Sequence, residues 1–265
     1  MINLRGGLGN QIIQISYAMQ SGGMVVVNTN ATRLRAQLKG VDQVQYRNKP
    51  LINYLFGGIR KLLSLIKSRA VDVTLFDVSD GYFQYGDISN LLPKALKSHL
   101  IDQIVIDSDI DSDIDIVMHI RGGDYLVGNA NNLYEVCGRG YFLTALKSSL
   151  SILNKEKVNI FIVTNDMDYC TDIFKGVLDS YNHDVNFYHK DEWSDFSLIY
   201  RSKIAIISNS TFSLTARMLN EKGMTFAPKK WFHDNIRSQL FVSVQGSIRL
   251  LANMCSRNGN IVLTQ

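Results

Sequence analysis

Apolar and polar positions along this chain fall into two alternating periods. Met1–Arg5 reads as a short strand. Gln11–Gln20 carries Ile12, Ile15 and Met19 at helical spacing and stops at Ser21-Gly22-Gly23. Met24–Asn28 is again strand-like. A strand, helix, strand opening predicts a parallel sheet. The pattern resumes after residue 114. Ile114–Met118 alternates into a buried strand over Val117–Ile120, and Tyr141–Leu153 spaces Phe142, Ala145, Leu146, Leu150 and Leu153 as a helix. Val158–Val163 is a strand, a short helix covers Phe196–Tyr200 and opens at Ser194-Asp195, and Lys203–Ile207 is a strand. A helix follows to about Asn220, then a strand over Met224–Ala227 closed by Pro228, then a last helix near 240–254.

Between these blocks lies Asp107-Ser108-Asp109-Ile110-Asp111-Ser112-Asp113-Ile114-Asp115. It lacks the glycine and closing Glu of a calcium loop, so it reads as a solvated edge and as the boundary between two lobes, 1–113 and 114–265. The expected class is α/β, two parallel-sheet lobes with a cleft between them. Residues 50–70 interleave Leu51, Ile59, Leu62, Leu63 and Ile66 with Arg60, Lys61, Lys67 and Arg69. This basic amphipathic helix packs on its lobe with a solvated face, or attaches to an anionic membrane surface.

Composition narrows the picture. The chain has 265 residues, 46% hydrophobic and 20% charged, with net charge +4, an ordinary globular balance too mild to argue for nucleic acid. No apolar run reaches the ~18–20 residues of a membrane span, and no secretory segment is expected. Cys137, Cys170 and Cys255 form no CxxC, which argues against a zinc site or disulfide framework and favours a reducing compartment.

The chemistry concentrates where strands end. His119-Ile120-Arg121-Gly122-Gly123-Asp124 leaves one strand, Thr164-Asn165-Asp166 another, and Ser208-Asn209-Ser210-Thr211 a third. In open α/β sheets ligands bind at the carboxyl ends of strands, so the three loops should converge. Arg121 suits a bidentate grip on phosphate. Asn209, Ser210 and Thr211 open a helix whose first amides and dipole attract an anion, or simply cap it. The loop Gly6-Gly7-Leu8-Gly9-Asn10 departs from a dinucleotide fingerprint at Ile12 and has no Walker lysine. It signals close backbone approach to a ligand. His99, His183, His189 and His233 show no ligand spacing.

Five motifs in order resemble the α-1,2-fucosyltransferases of glycosyltransferase family 11, in the short bacterial form without a membrane anchor. They are Gly-Gly-Leu-Gly-Asn-Gln at 6–11, His-Ile-Arg-x-Gly-Asp-Tyr at 119–125, Thr-Asn-Asp at 164–166, Ser-Asn-Ser-Thr-Phe-Ser at 208–213 and Ala-Pro-Lys-Lys-Trp-Phe at 227–232. The resemblance implies a GT-B fold of two Rossmann-like lobes. The acceptor side and glycine loop lie in 1–113 and the GDP-fucose site in 114–265, with the last helix a candidate to pack back on the first lobe. It implies metal-independent, cofactor-free, inverting transfer of L-fucose from GDP-β-L-fucose to the 2-hydroxyl of a terminal β-galactose. The acceptor class is a cell-surface polysaccharide such as an O-antigen unit, met in the cytoplasm or at the inner face of the membrane.

Carried over to this sequence, Arg121 binds the β-phosphate and His119 the nucleoside. Ser210 and Thr211, with the backbone after Asn209, hold phosphate oxygens. Phe212 and Gly9 join the donor set, and Asn10 faces the fucose. Asp195 reads guanine, or is a helix N-cap. Asp166 orders its loop. Asp124 is the general base for a single in-line displacement, or braces Arg121. One departure stands out: the family pattern carries two adjacent arginines, and here the second is Gly122. The competing readings are a related inverting transferase with another donor or linkage, and a non-catalytic GDP-sugar-binding relative.

Overall fold

The computed structural model describes residues 1–22, 24–27, 34–48, 51, 54–56, 58–59, 61, 73–75, 78–80, 92–104, 110, 113–127, 134–177, 183–220, 222–228, 231 and 261–264. Met1–Gln84 with Asn90–Gln103 form one compact unit, and Tyr85–Ser89 with Ile104–Gln265 form another. The division falls ahead of the Asp-rich run, which belongs to the second unit.

The first unit runs β1 (Ile2–Asn3), α1 (Leu8–Gln20), β2 (Met24–Val27), a 3-10 turn at Ala36–Leu38, β3 (Gln45–Asn48), β4 (Val73–Leu75), β5 (Val78–Asp80) and α2 (Lys94–Ile101). Its sheet has the order β3-β2-β1-β5-β4. The β1–β2, β2–β3 and β1–β5 pairs are parallel, and β4–β5 is antiparallel. The all-parallel expectation fails at that edge because the two residues between β4 and β5 are too few for a parallel crossover. Helix α1 starts at Leu8, three residues earlier than expected, with Gly7 as N-cap. A first helical turn donates no intrahelical bonds, so Gly9 and Asn10 are tolerated there. Two buried glutamines hold the glycine loop. Gln11 Nε2 donates to Gly6 O at 3.0 Å, Gln11 Oε1 accepts Arg35 N at 3.1 Å, and Gln14 Oε1 accepts Arg5 N at 2.9 Å.

In the expected basic helix, backbone at 51, 54–56, 58–59 and 61 is helical. Phe56 is buried there, while Leu51 and Tyr54 are 81% and 79% exposed. Arg60 and 62–70 lie outside the described residues. No helix among the described residues is long and apolar enough to cross a membrane.

The second unit contains β6 (Ile116–Ile120), α3 (Arg139–Leu153), β7 (Asn159–Thr164), α4 (Met167–Phe174), β8 (Asp184–Phe187), α5 (Glu192–Arg201), β9 (Ile204–Ile207), α6 (Thr211–Leu219), β10 (Met224–Pro228) and β11 (Ile261–Thr264). Its sheet has the order β11-β10-β9-β6-β7-β8, with every neighbouring pair parallel. Counted within the sheet this is the doubly wound order 3-2-1-4-5-6, and the winding reverses between β6 and β9. β6 and β9 are buried along their whole lengths, as a sheet covered on both faces requires. The core packs Phe142 and Leu146 of α3 with Ile116, Met118, Ile160 and Ile162 of the strands. Each such side chain contributes about 1.5–3 kcal/mol of burial. β11 was not anticipated, and the helix expected at 240–254 lies outside the described residues.

The amino edge of this sheet is tied by charge. Asp115, expected to be solvated, is buried; its carboxylate accepts Lys155 Nζ at 2.6 Å, Lys203 Nζ at 3.1 Å and Asn159 N at 3.2 Å. The pairing joins the feet of β6, β7 and β9. Arg217, also buried, has Thr225 Oγ1, Ile199 O, Tyr200 O, Ser202 O, Ser202 Oγ and Met224 O within 3.2 Å. It gathers the carboxyl end of α5 and the starts of β9 and β10, as a cation does at a helix C-terminus. Burial pushes its guanidinium down to about 9, which leaves it charged at neutral pH.

Candidate active site

At the winding reversal, the loops that leave β6 and β9 must part to opposite faces of the sheet, and a crevice opens between them. The β6 loop carries His119, Arg121, Gly122, Gly123 and Asp124. The β9 loop carries Ser208, Asn209 and Ser210 and enters α6. Ser208 joins the two. Its hydroxyl donates to His119 O at 2.9 Å and accepts Arg121 N at 2.9 Å, and its own amide donates to His119 O at 3.0 Å. A buried serine that donates and accepts at once fixes where the Arg121 backbone begins.

Arg121 projects a guanidinium whose side chain is 32% exposed. Its Nη2 meets Asp124 Oδ1 at 2.6 Å, three residues on, in a 3-10 turn over Gly123–Tyr125. The guanidinium carbon stands 5.2 Å from the centre of the Tyr125 ring, a cation–π distance. Tyr125 stacks on Tyr134, centroids 4.3 Å apart and planes within 2°, and donates its hydroxyl to Asn209 O at 3.3 Å. Arg121 Nε is buried without a hydrogen-bond partner among the described residues. The cation therefore has spare donor capacity, and its carboxylate partner Asp124 is itself 60% exposed.

His119 ends β6. Desolvation by burial, with Arg121 close by, pushes the imidazole down to about 3, so it is neutral at physiological pH. Its Nδ1 is buried without a partner among the described residues, and an unpaired buried polar atom costs about 1–3 kcal/mol. Its ring lies 5.6 Å from Phe212 on α6; Phe212 meets Phe196 edge-on at 5.5 Å, and Phe196 stacks on Trp193 at 4.9 Å. This aromatic chain links the end of β6 through α6 to α5. At the start of α6, Ser210 holds the N-cap position and makes no side-chain cap bond.

The structure thus brings His119, Arg121, Asp124, Asn209, Ser210, Thr211 and Phe212 to one edge of one sheet. Within that group Asn209 turns away. Its Nδ2 donates to Glu135 O at 2.6 Å and Trp231 O at 2.9 Å, anchoring the chain ahead of α3. Asp195 is not the N-cap of α5, which begins at Glu192, earlier than expected. Asp191 takes that place and accepts Trp193 N and Ser194 N. Asp195, buried in the first turn, meets His189 Nδ1 at 2.9 Å through Oδ2. Burial raises its carboxyl and the bond to His189 opposes that. Asp166 caps α4 and binds Gly123 N, the loop-ordering arrangement. Gly9 and Asn10 lie in the first unit. There Gly6 has φ +81°, and a Cβ on it would stand 2.8 Å from Asn10 Nδ2, so the glycine is required.

Sequence reasoning passed over Ser208 as a contributor, Asn165, the Tyr125–Tyr134 stack and His189. Their legible signal was small: a polar residue after a fully apolar strand, and tyrosines near an arginine.

The family model for glycosyl transferase family 11 matches residues 2–243. No curated protein matches the chain. A crystal structure of POFUT1 in complex with GDP-fucose aligns at 11% identity and TM-score 0.32, covering 78% of this chain and 72% of that one. At that score the likeness carries no argument.

Proposed function

The chain belongs to glycosyl transferase family 11, and on that premise we propose that it transfers L-fucose from GDP-β-L-fucose to the 2-hydroxyl of a terminal β-galactose, with inversion. The observation that carries this reading is the under-coordinated Arg121 beside the α6 N-terminus, joined through Ser208 at the winding reversal. A departing diphosphate needs fixed positive charge. Arg121, whose partner Asp124 is exposed, exchanges that carboxylate for the β-phosphate. The first amides of α6 add dipole and donors. In this reading those groups do the work a metal does elsewhere.

His119, neutral and with Nδ1 unpartnered, takes a donor from the nucleoside sugar or base. The acceptor hydroxyl attacks C1 as the C1–O bond to GDP breaks, through an oxocarbenium-like transition state. Its proton goes to a carboxylate, and Asp124 is the choice from this loop once Arg121 has turned to phosphate. As a base it is essential to turnover and dispensable for GDP affinity. As a brace it affects both, and Asp124→Asn separates the two. The acceptor proposed is a cell-surface polysaccharide unit. Exposed Leu51 and Tyr54 in a helix that carries Lys61 support contact of that segment with an anionic membrane face.

The test is incubation with GDP-fucose and a panel of β-galactosides in EDTA, reading GDP release and product mass. GDP release with a product heavier by one fucose is the expected result. Turnover only with another donor, or a product with another linkage, replaces the specific reading. GDP binding with no turnover on any galactoside favours the non-catalytic alternative.

A further inference from the structure

We propose that Asn165 and Asp166 are positioning residues that hold the Arg121 loop, and that Gly122 is the residue that lets them reach it. The proposal rests on the role given above to Arg121 at the donor diphosphate. Three successive amides of the β6 loop are each accepted by a side chain from a neighbouring strand end. Arg121 N goes to Ser208 Oγ at 2.9 Å, Gly122 N to Asn165 Oδ1 at 3.0 Å, and Gly123 N to Asp166 Oδ2 at 2.8 Å. The next turn closes on itself, Tyr125 N to Gly122 O and Leu126 N to Gly123 O. The loop therefore meets an anion with its guanidinium and not with a nest of amides. Its backbone is the rigid base from which Arg121 reaches.

Asp166 serves two elements. One oxygen holds Gly123 and the other accepts Tyr169 N at 3.0 Å as the cap of α4. Tyr169 is pinned in turn by its hydroxyl to Cys137 O at 2.9 Å. The amides of Tyr169 and Gly123 hold the Asp166 carboxyl below its ordinary range, so the acceptor stays charged.

Gly122 is buried against this clamp. A Cβ there would stand 2.7 Å from Asp166 Cβ, 2.9 Å from Asp166 Oδ2 and 3.0 Å from Tyr169 Cδ1. At Gly123, φ is +57° and a Cβ would stand 2.8 Å from Asn165 Nδ2. No side chain fits at 122 while Asp166 keeps its place. The second arginine of the family pattern is thus excluded here by packing. Restoring it by Gly122→Arg dislodges Arg121 and does not add to it.

The test is calorimetric titration with GDP on the whole chain. It compares wild type with Arg121→Ala, Gly122→Ala, Asp166→Ala and the two double variants that include Arg121→Ala. Gly122→Ala and Asp166→Ala are each expected to weaken GDP roughly tenfold or more, on the scale of a lost charge-assisted contact. In the Arg121→Ala background the same two changes should shift affinity less than about twofold. The loss of thermal stability from uncapping α4 should be the same in both backgrounds. Equal weakening in both backgrounds, or none in either, overturns the proposal while leaving the donor reading intact. A wild-type chain that does not bind GDP overturns both. If Asp166→Ala does not fold, Gly122→Ala, which keeps every hydrogen-bonding group, carries the comparison alone.

Discussion

The two edges of the six-stranded sheet each hold an arginine, and the two are treated in opposite ways. At the amino edge Arg217 is buried, has no carboxylate partner among the described residues, and lies within reach of six neutral oxygens. On the same edge Asp115 is likewise surrounded, by two lysines and an amide. At the carboxyl edge Arg121 is partly exposed and pairs with the exposed Asp124, and neither its Nε nor His119 Nδ1 has a partner among the described residues. A cation that only holds a fold together is saturated by groups that never leave. A cation meant for a ligand keeps an exchangeable partner and spare donors. On the proposed reading, the difference separates charge that holds the fold from charge that takes a ligand.

The strongest way to break that distinction is to remove each arginine in turn. Arg121→Ala should lower turnover by a factor of hundreds or more, about 3 kcal/mol of transition-state stabilisation. Its melting temperature should barely move, since partly exposed side chains change stability by only about 0.5 kcal/mol. Arg217→Met should do the reverse. Several buried carbonyls lose their donor, which costs about 3 kcal/mol or more in urea unfolding, while turnover per folded molecule stays near wild type. An unfolded Arg121→Ala, or a stable Arg217→Met, erases the contrast.

Gly223→Ala sharpens it at the amino edge. A Cβ at Gly223 would overlap Arg217 Nη2 and press on Ser202 O. The saturated site has no slack, so about 2–3 kcal/mol of stability should be lost to overpacking, read as a lower urea midpoint at unchanged slope. Ser208→Ala probes a group at the carboxyl edge that is saturated like those at the foot. It should show both signatures at once, about 1–2 kcal/mol of stability from the lost bonds and a fall in turnover of about tenfold from a loosened Arg121. A change in stability alone would place Ser208 with the structural class.

Much of this was legible because the second unit obeys simple patterns. Strands β6, β7 and β9 are apolar runs, and their carboxyl ends carry His119, Arg121, Asp166 and Ser210, so the expectation that these loops share one edge of the sheet followed from the pattern alone. What failed to show was whatever depends on partners far apart in the chain. Asp115 looked solvated in an alternating acidic run, and only the fold brings Lys155 and Lys203 to it. For Asp195 the cap alternative to a guanine contact arose because acidic residues open helices, yet Asp191 stands at the true start, ahead of Glu192. The antiparallel β4–β5 pair breaks the parallel pattern, and the two residues between the strands, Phe76 and Asp77, supply no glycine or proline signal. Gly122 read as a missing arginine, since a sequence does not display the volume that Asp166 and Tyr169 occupy.

His119 gives the most direct comparison of fold with function. Its imidazole titrates at about 3 when folded, against about 6.5 in an unfolded chain. Below pH 6.5 the unfolded state binds the proton that the folded state refuses, so stability is full above that value and falls as pH drops toward 3. One proton sets the slope at about 1.4 kcal/mol per pH unit. Replacing the ring by a non-titrating one of similar shape, His119→Phe, should flatten the stability curve between pH 6 and 4 by that amount. It also removes the unfilled Nδ1 and should leave stability at pH 7 equal or slightly higher. The same variant should bind GDP more weakly, because the atom it deletes is one the fold itself leaves unused. Equal slopes for the two proteins would mean that His119 is protonated in the folded state, and that its Nδ1 is not held open for a ligand. A flatter slope with undiminished GDP affinity would leave His119 as a burden on the fold with no return in binding, and would move the nucleoside contact elsewhere on the edge.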